Sequence, residues 1–438
     1  MTNGFPPRGQ WGTEFYTLQL VRGLRARGHE LAVLHPERGG KEERFTLEKV
    51  DQDGMPIYLL HNQGDPRKVF EDSYRSEEVE QAFRGVVEEF KPDLIHFTYL
   101  LWGLSIRMPV IAREMGVPTV VTLTDYGLLC HRGQMYDWRL TRCFGPHPPE
   151  VCARCIREPS AYDDTALKLF ARRAAVRTLA ALGGMGRVVT TEHISERERV
   201  VQEALRATNH FIAPTDVLGD IFQRSGVPAE KLTRLVYSIE EEPLVAARPN
   251  PGGRGVRFGF LGQFTPHKGL GTLLDAVRLL SHRLPESVES WSLSLYGAPA
   301  GGRHRLYADK MISSELGPRV QIKAAFPPTK APEVLARLHA IIVPSEWDEN
   351  APLTVLQARA AGVPVIATDV PGVAEVLEDG VHGTLVPVGD SEELANAMGR
   401  FIIGGARRTE APEVPLTLPD HIDRITAIYD RVAKEGTA

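Results

Sequence analysis

The chain has 438 residues, 42% apolar and 24% charged, a globular composition too long for one core, so two domains are expected. Lys and Arg number 51 against 56 Asp and Glu, and the net charge of −5 excludes a global basic field for nucleic acid. No apolar run reaches the roughly 18 residues of a spanning helix, and MTNGFPPRGQ lacks the charged-then-apolar order of a signal peptide, so a cytoplasmic protein is expected.

In chain order, buried strands are predicted at HELAVLH (29–35), DLIHF (93–97), PTVVTLTD (118–125), GRVVTT (186–191) and HFIAPT (210–215). Helical periodicity separates them in FYTLQLVRGLRARG, SEEVEQAFRGVVEEF and SIRMPVIAREMG. Strands alternating with helices imply an α/β fold with a parallel sheet covered on both faces. The pattern breaks at EEPLVAARPNPGGRG (241–255), where Pro and Gly cluster as in an interdomain linker. It restarts with VRFGFLG (256–262), WSLSLYG (291–297), RVQIKAAF (319–326), AIIVPS (340–345), VPVIATD (363–369) and GTLVPV (383–388). The expected domains are 1–240 and 256–412, both doubly wound and Rossmann-like. The segment 413–438 holds an amphipathic helix, LPDHIDRITAIYDRV, able to pack on either. A ligand is expected in the cleft at the carboxyl ends of the strands.

All four cysteines fall in CHRGQMYDWRLTRCFGPHPPEVCARC, at Cys130, Cys143, Cys152 and Cys155. The closing CARC pair has the knuckle spacing of tetrahedral zinc sites, and a Pro-, Gly- and Arg-rich loop gains order from such a cross-link. A structural zinc on the four thiolates is the favoured reading, with His131 and His147 as spare ligands. An iron–sulfur cluster, disulfides or free thiols stay open. Next, ALKLFARRAAVRTLAAL (166–182) carries Lys168, Arg172, Arg173 and Arg177. These suit either a solvated helix face or peripheral contact with an anionic membrane.

The densest pattern is SEWDENAPLTVLQARAAGVPVIATDVPG (345–372). A strand ends at Ser345, an acidic loop runs to Glu349, and a helix begins near Ala351–Pro352 and stops at Gly362. Free amides at that helix start suit an anion such as a diphosphate, and the same pattern equally suits an ordinary turn with Glu349 near the N-cap. In FLGQFTPHKGLGTLLDAV (260–277), Lys268 precedes another helix and can act as a point charge on phosphate, although the spacing is not that of a P-loop.

FLGQFTPHKG followed by PSEWDENAPLTVLQARAAGVPVIATDVPG resembles the donor half of family 4 retaining glycosyltransferases of the GT-B fold. PPRGQWGTEFYTLQLVRGLRARGHEL, KPDLIHFTY and TLTDYGLLC resemble the acceptor half. The resemblance implies two Rossmann-like domains about a cleft. It also implies transfer of a sugar, with retention, from a nucleotide-diphosphate sugar to a glycan, lipid-linked or small-molecule acceptor, in cell-surface polysaccharide synthesis. By position, Lys268 would hold the diphosphate and Glu349 the donor sugar. Asp125 would bind the donor sugar or orient the acceptor, unless it only ends a strand. Gly12, Thr13, Gly262, Gln263, Asn350, Ala351, Leu353 and Gln357 would complete the donor site. No metal or other cofactor is needed for catalysis. The cysteine window, about 130–160, resembles an insertion in some members.

Departures from the family pattern are Gln357 for a ribose-binding glutamate, Gln263 for an arginine, Trp11 for one of two glycines and Thr124 for a histidine. They motivate two rivals, a non-catalytic nucleotide- or glycan-binding partner subunit and, more distantly, an epimerase. Met1 stands five residues before Pro6, where the family carries a buried strand, so a truncated start is expected. The sequence leaves sugar, base, acceptor and oligomeric state open.

Overall fold

The computed structural model describes residues 1–7, 11–37, 42–62, 70–158, 188–240, 242–246, 255–284, 291–299, 302–312, 319–404 and 416–436. Thirteen strands among these form three sheets. In the first, β1 (Val33–Glu37) pairs in parallel with β3 (Met55–His61), and β3 pairs antiparallel with β2 (Leu47–Gln52). The second sheet is all parallel, in the order β4 (Ile95–Phe97), β5 (Thr119–Thr122), β6 (His210–Ala213) and β7 (Leu232–Arg234). The first residues lie between these two sheets. Thr2 N donates to Leu34 O at 3.2 Å, Met1 N to His96 O at 2.6 Å, and Thr98 N to Met1 O at 2.8 Å.

The third sheet is also all parallel. Its order is β10 (Val320–Lys323), β9 (Trp291–Tyr296), β8 (Val256–Leu261), β11 (Ala340–Val343), β12 (Val365–Thr368) and β13 (Gly383–Val386). Counted along the chain this is the doubly wound order 3-2-1-4-5-6, whose switch point falls between β8 and β11. Connections there leave in opposite directions and open a crevice at the carboxyl ends. The central strand β11, AIIV, is apolar throughout because both faces are covered. On β11, Ile342 enters a core with Phe258, Leu293 and Ile366, while Ile341 enters the opposite core with Val355, Leu356 and Val365.

Two sequence expectations fail locally. GRVVTT is described only from residue 188, and that end is a helix start instead of a strand, with Thr190 accepting from His193 N and the His193 ring accepting from Thr190 N at 3.1 Å. The helix Thr191–Ala207 follows, and this reciprocal cap outweighs the β-branched run. Strands β2 and β3 were not anticipated, and they make that sheet mixed. They turn at Asp53–Gly54, both at positive φ (55° and 75°), the geometry that sets a tight hairpin.

The closing helix, Leu418–Gly436, packs on the N-terminal half. Ile422, Ile425 and Val432 join Leu20, Leu24, Val120 and Ile212 in one core, and the Tyr16 hydroxyl meets His421 Nε2 at 3.2 Å. The basic stretch 166–182 lies outside the described residues.

Candidate active site

The β8–β9 and β11–β12 connections start at the switch point, and each brings one charged group to it. After β8, Gly262 opens a loop that closes as a 3-10 turn, Pro266–Lys268. Gly269 then starts the helix Leu270–Arg283 at φ 70°, and a Cβ there would stand 1.7 Å from Pro344 O. Only glycine admits that close approach, and it brings the two connections together.

After β11, the loop from Pro344 to Pro352 includes Ala351 at φ 48°, buried, and ends in the helix Leu353–Ala361 with Gly362 as its left-handed stop. Pro352 is the N-cap, so the first free amide of the helix is that of Leu353.

Lys268 Nζ lies 2.7 Å from Glu349 Oε1 and 3.0 Å from Oε2. Glu349 is 3% exposed and also accepts from Ser345 Oγ, whereas Lys268 keeps about a quarter of its side chain open. The Lys268 ammonium stands 5.0 Å over the Trp347 ring. Gly372 backs the Glu349 main chain: a Cβ on it would lie 1.7 Å from Glu349 O and 3.2 Å from Asn350 N. Gly372→Ala is expected to cost about 1–3 kcal/mol through overpacking, seen as a lower Tm, with loss of any function that needs Glu349. An unchanged Tm would show that the backbone yields freely.

The opposite wall comes from the N-terminal half. Gly12 starts the helix Gly12–Ala26, and a Cβ on it would touch Leu353 Cδ1 at 3.6 Å, so the two helix starts face each other. Beyond β5, Asp125 Oδ1 accepts from Gly127 N at 2.7 Å, and Arg197, itself buried, donates to Leu128 O at 3.1 Å and to Gly127 O. Asp125 opens on one side to the cleft but is otherwise enclosed, and burial pushes its carboxyl up to about 6, with the Gly127 amide and Arg197 opposing. A raised carboxyl favours the folded state fully below the unfolded value near 3.8, and that contribution is lost as pH rises through 6. Asp125→Asn should therefore raise Tm at pH 8 and lose the advantage between pH 6 and 4 in melts across that range. A constant difference would remove this account.

All eleven residues expected at the donor site and reaction centre line one cleft of about 420 Å³: Gly12, Thr13, Asp125, Gly262, Gln263, Lys268, Glu349, Asn350, Ala351, Leu353 and Gln357. The Asn350 side chain has other work as well. Its Nδ2 donates to Leu123 O at 3.0 Å and its Oδ1 accepts from Thr215 Oγ1 at 3.1 Å, so it ties the C-terminal half to β5. Glu375 makes a second tie, accepting from Val217 N at 3.0 Å and from Asp216 N at the start of the helix Asp216–Arg224. Sequence reasoning missed Trp347, His267, Gln134, Tyr296 and Phe326, which line the same cleft. Tyr296 sits at the carboxyl end of β9, where such residues reach the crevice, and it meets Phe326 edge-on at 5.5 Å.

The cysteines lie elsewhere. Cys130, Cys143, Cys152 and Cys155 are free thiols lining a separate cavity of about 510 Å³. They come from a turn after β5, from a short hairpin and from the helix Pro149–Arg157. Among the described residues, no three His, Cys, Asp or Glu side chains converge closely enough to hold a metal ion. With no such group found, the structure does not support the structural zinc expected on the four thiols. Burial pushes the Cys143 thiol up and that of Cys152 to about 11, against activated nucleophiles.

Among the described residues, no helix is long and apolar enough to cross a membrane.

Comparison with known proteins agrees with this architecture. The glycosyl transferase 4-like domain model matches residues 12–237, and the glycosyl transferases group 1 model matches 255–403. The first span runs through the cysteine-bearing loop, so the comparisons do not set that loop apart as an insertion. The amylovoran biosynthesis glycosyltransferase AmsK of Erwinia amylovora is 26% identical over 242 residues, 53% of this chain and 56% of that protein. The D-inositol 3-phosphate glycosyltransferase of Stackebrandtia nassauensis is 28% identical over 246 residues, 52% of each. The chain thus spans about half the length of the curated relatives it matches.

Among solved structures, sucrose-phosphate synthase from Thermosynechococcus elongatus aligns with TM-score 0.62 at 17% identity, covering 99% of this chain and 93% of that one. Anabaena HepE in complex with UDP-glucose aligns at 0.56 and 16%, covering 99% and 97%. These likenesses identify the fold as GT-B, two parallel-sheet α/β domains about a cleft. With one model matching more than half of its length, the chain belongs to the glycosyl transferase 4-like family, its second half being of the glycosyl transferases group 1 type.

Proposed function

We propose that the chain is a retaining glycosyltransferase that moves a sugar from a nucleotide-diphosphate sugar to a glycan, lipid-linked or small-molecule acceptor. One observation carries the reading: a lysine, a buried carboxylate and the free start of a nine-residue helix meet at a single sheet's switch point. A diphosphate over the Leu353 amide faces the positive end of that helix, and Lys268 supplies the point charge. Glu349, held by Ser345 as well as Lys268, can then accept from hydroxyls of the sugar. Gln357, about one turn into the helix, lines the cleft and would meet a ribose hydroxyl as an uncharged partner.

In this reading the acceptor oxygen attacks the anomeric carbon from the face the diphosphate leaves. The C–O bond to phosphate breaks with its electrons, and the departing phosphate oxygen takes the acceptor proton. Fixed positive groups stabilise the leaving charge, and no step runs through a metal. The UDP-glucose held by HepE supports a nucleotide sugar as donor.

The test is a panel of uridine, guanosine, adenosine and thymidine diphosphate sugars, scored for nucleoside-diphosphate release with and without acceptors. At least one donor is expected to be consumed, with the anomeric configuration kept in the product. A folded chain that binds none of them by calorimetry would favour the non-catalytic partner subunit instead.

A further inference from the structure

The acidic loop carries three carboxylates, Glu346, Asp348 and Glu349, yet only Glu349 among them lines the cleft. The other two are held from the N-terminal half. The Tyr136 hydroxyl donates to Glu346 Oε2 at 3.0 Å, and Arg142 forms an ion pair with Asp348. Thr272 Oγ1 takes the other oxygen of Glu346.

Tyr136 and Arg142 are bridged partners of one antiparallel hairpin, so both side chains leave it on the same face. That hairpin belongs to the cysteine-bearing loop. Cys143 N donates to Met135 O at 2.8 Å and Asp137 N to Thr141 O at 2.9 Å. The Asp137 carboxylate pins the turn by accepting from Arg139 N at 2.7 Å and Thr141 N at 3.2 Å. Tyr136 also meets His267 edge-on, and His267 meets Trp347 at 5.2 Å, so the hairpin touches the Lys268 turn too.

We propose that this hairpin is a positioning arm. Arg142 neutralises Asp348, Tyr136 anchors Glu346, and Glu349 is thereby presented to the cleft as the loop's one available carboxylate beside the anionic donor. Neither arm residue lines the donor cleft, so they act through the loop rather than on the donor. The Asp348 side chain is 10% exposed and that of Arg142 26%, so the pair is screened far less than a surface bridge. Without Arg142, Asp348 would place an uncompensated negative charge beside a site that takes a diphosphate. The inference rests on the glycosyl-transfer reading for its kinetic consequence but not for the docking of the arm.

The experiment uses the full chain. Hydrogen exchange of the 344–352 amides, with no ligand present, is compared between the wild type and Arg142→Ala. The variant should exchange there about tenfold faster or more. With whichever nucleotide sugar the wild type consumes, Arg142→Ala should raise KM about tenfold with a smaller fall in kcat, a loss of binding rather than of chemistry. Adding Asp348→Asn should return KM most of the way, since the unpaired charge is gone. Tyr136→Phe, which removes one hydroxyl, decides the matter if Arg142→Ala does not fold, and it should shift the same amides and KM in the same direction. Unchanged exchange with unchanged KM in a folded variant overturns the arm, and so does a double variant no better than the single one. A wild type that turns over no nucleotide sugar defeats the functional reading instead, and the exchange comparison still decides whether the arm holds the loop.

Discussion

Replacing Lys268 with alanine is expected to lower the transfer rate by about 10²-fold or more and to weaken nucleoside-diphosphate binding as well. Its ammonium is the cation the structure brings to the switch point beside the free helix start, and Gln263 stands where the family pattern has an arginine. Loss of Lys268 therefore has no nearby arginine in the β8 loop to offset it. The variant should remain folded, since the side chain is partly open and Ser345 still holds Glu349. Calorimetry with the nucleoside diphosphate and a release assay give the two readouts. A variant with wild-type affinity and rate would remove Lys268 from the phosphate site.

Glu349→Gln should lower kcat by a similar order, about 10²-fold, while leaving nucleoside-diphosphate affinity nearly unchanged. The amide keeps the shape of the side chain and can still accept from Ser345, so the loop is preserved. What disappears is the charge that strengthens hydrogen bonds from the sugar. It also leaves Lys268 without its buried counter-ion, so if anything the free protein should hold a phosphate more readily. The two variants thus differ in kind: one loses affinity and rate, the other rate alone. Equal losses of affinity in both would mean that Glu349 serves mainly to orient Lys268.

The reach of the sequence is clearest at these two residues. Each lies in the loop after a largely buried strand, β8 or β11, and such strands announce themselves as short apolar runs ending in Gly or Ser. The switch point then brings together two motifs that sit 81 positions apart. Strand β2 was harder to see because Leu47–Gln52 is half-exposed and carries Glu, Lys, Asp and Gln, although Asp53–Gly54 marked its turn. The start of Thr191–Ala207 was misread because its cap uses histidine at the third position instead of the usual Glu or Gln.

Tyr136 and Arg142 could not be found from the sequence. Their partners lie 210 and 206 residues away, and no local pattern records such a contact. The cysteine spacing suggested a metal because CxxC is a local signal. Whether four thiols converge depends on three segments at once, and that is a property of the folded chain.

Two of the ties between the halves are asymmetric in a way that bears on how such a chain can vary. Asn350 and Glu375 belong to the C-terminal half, and each reaches main-chain groups of the other: the Leu123 carbonyl and the Asp216 and Val217 amides. A backbone carbonyl survives any substitution at its residue, and a backbone amide survives all but proline. At these three groups the N-terminal half can exchange side chains and keep the contact, whereas Thr215, Tyr136 and Arg142 hold Asn350, Glu346 and Asp348 through side chains that must be kept. Control over how the two halves meet is therefore shared: part of the seam tolerates substitution in the N-terminal half, and part is fixed by that half's own side chains.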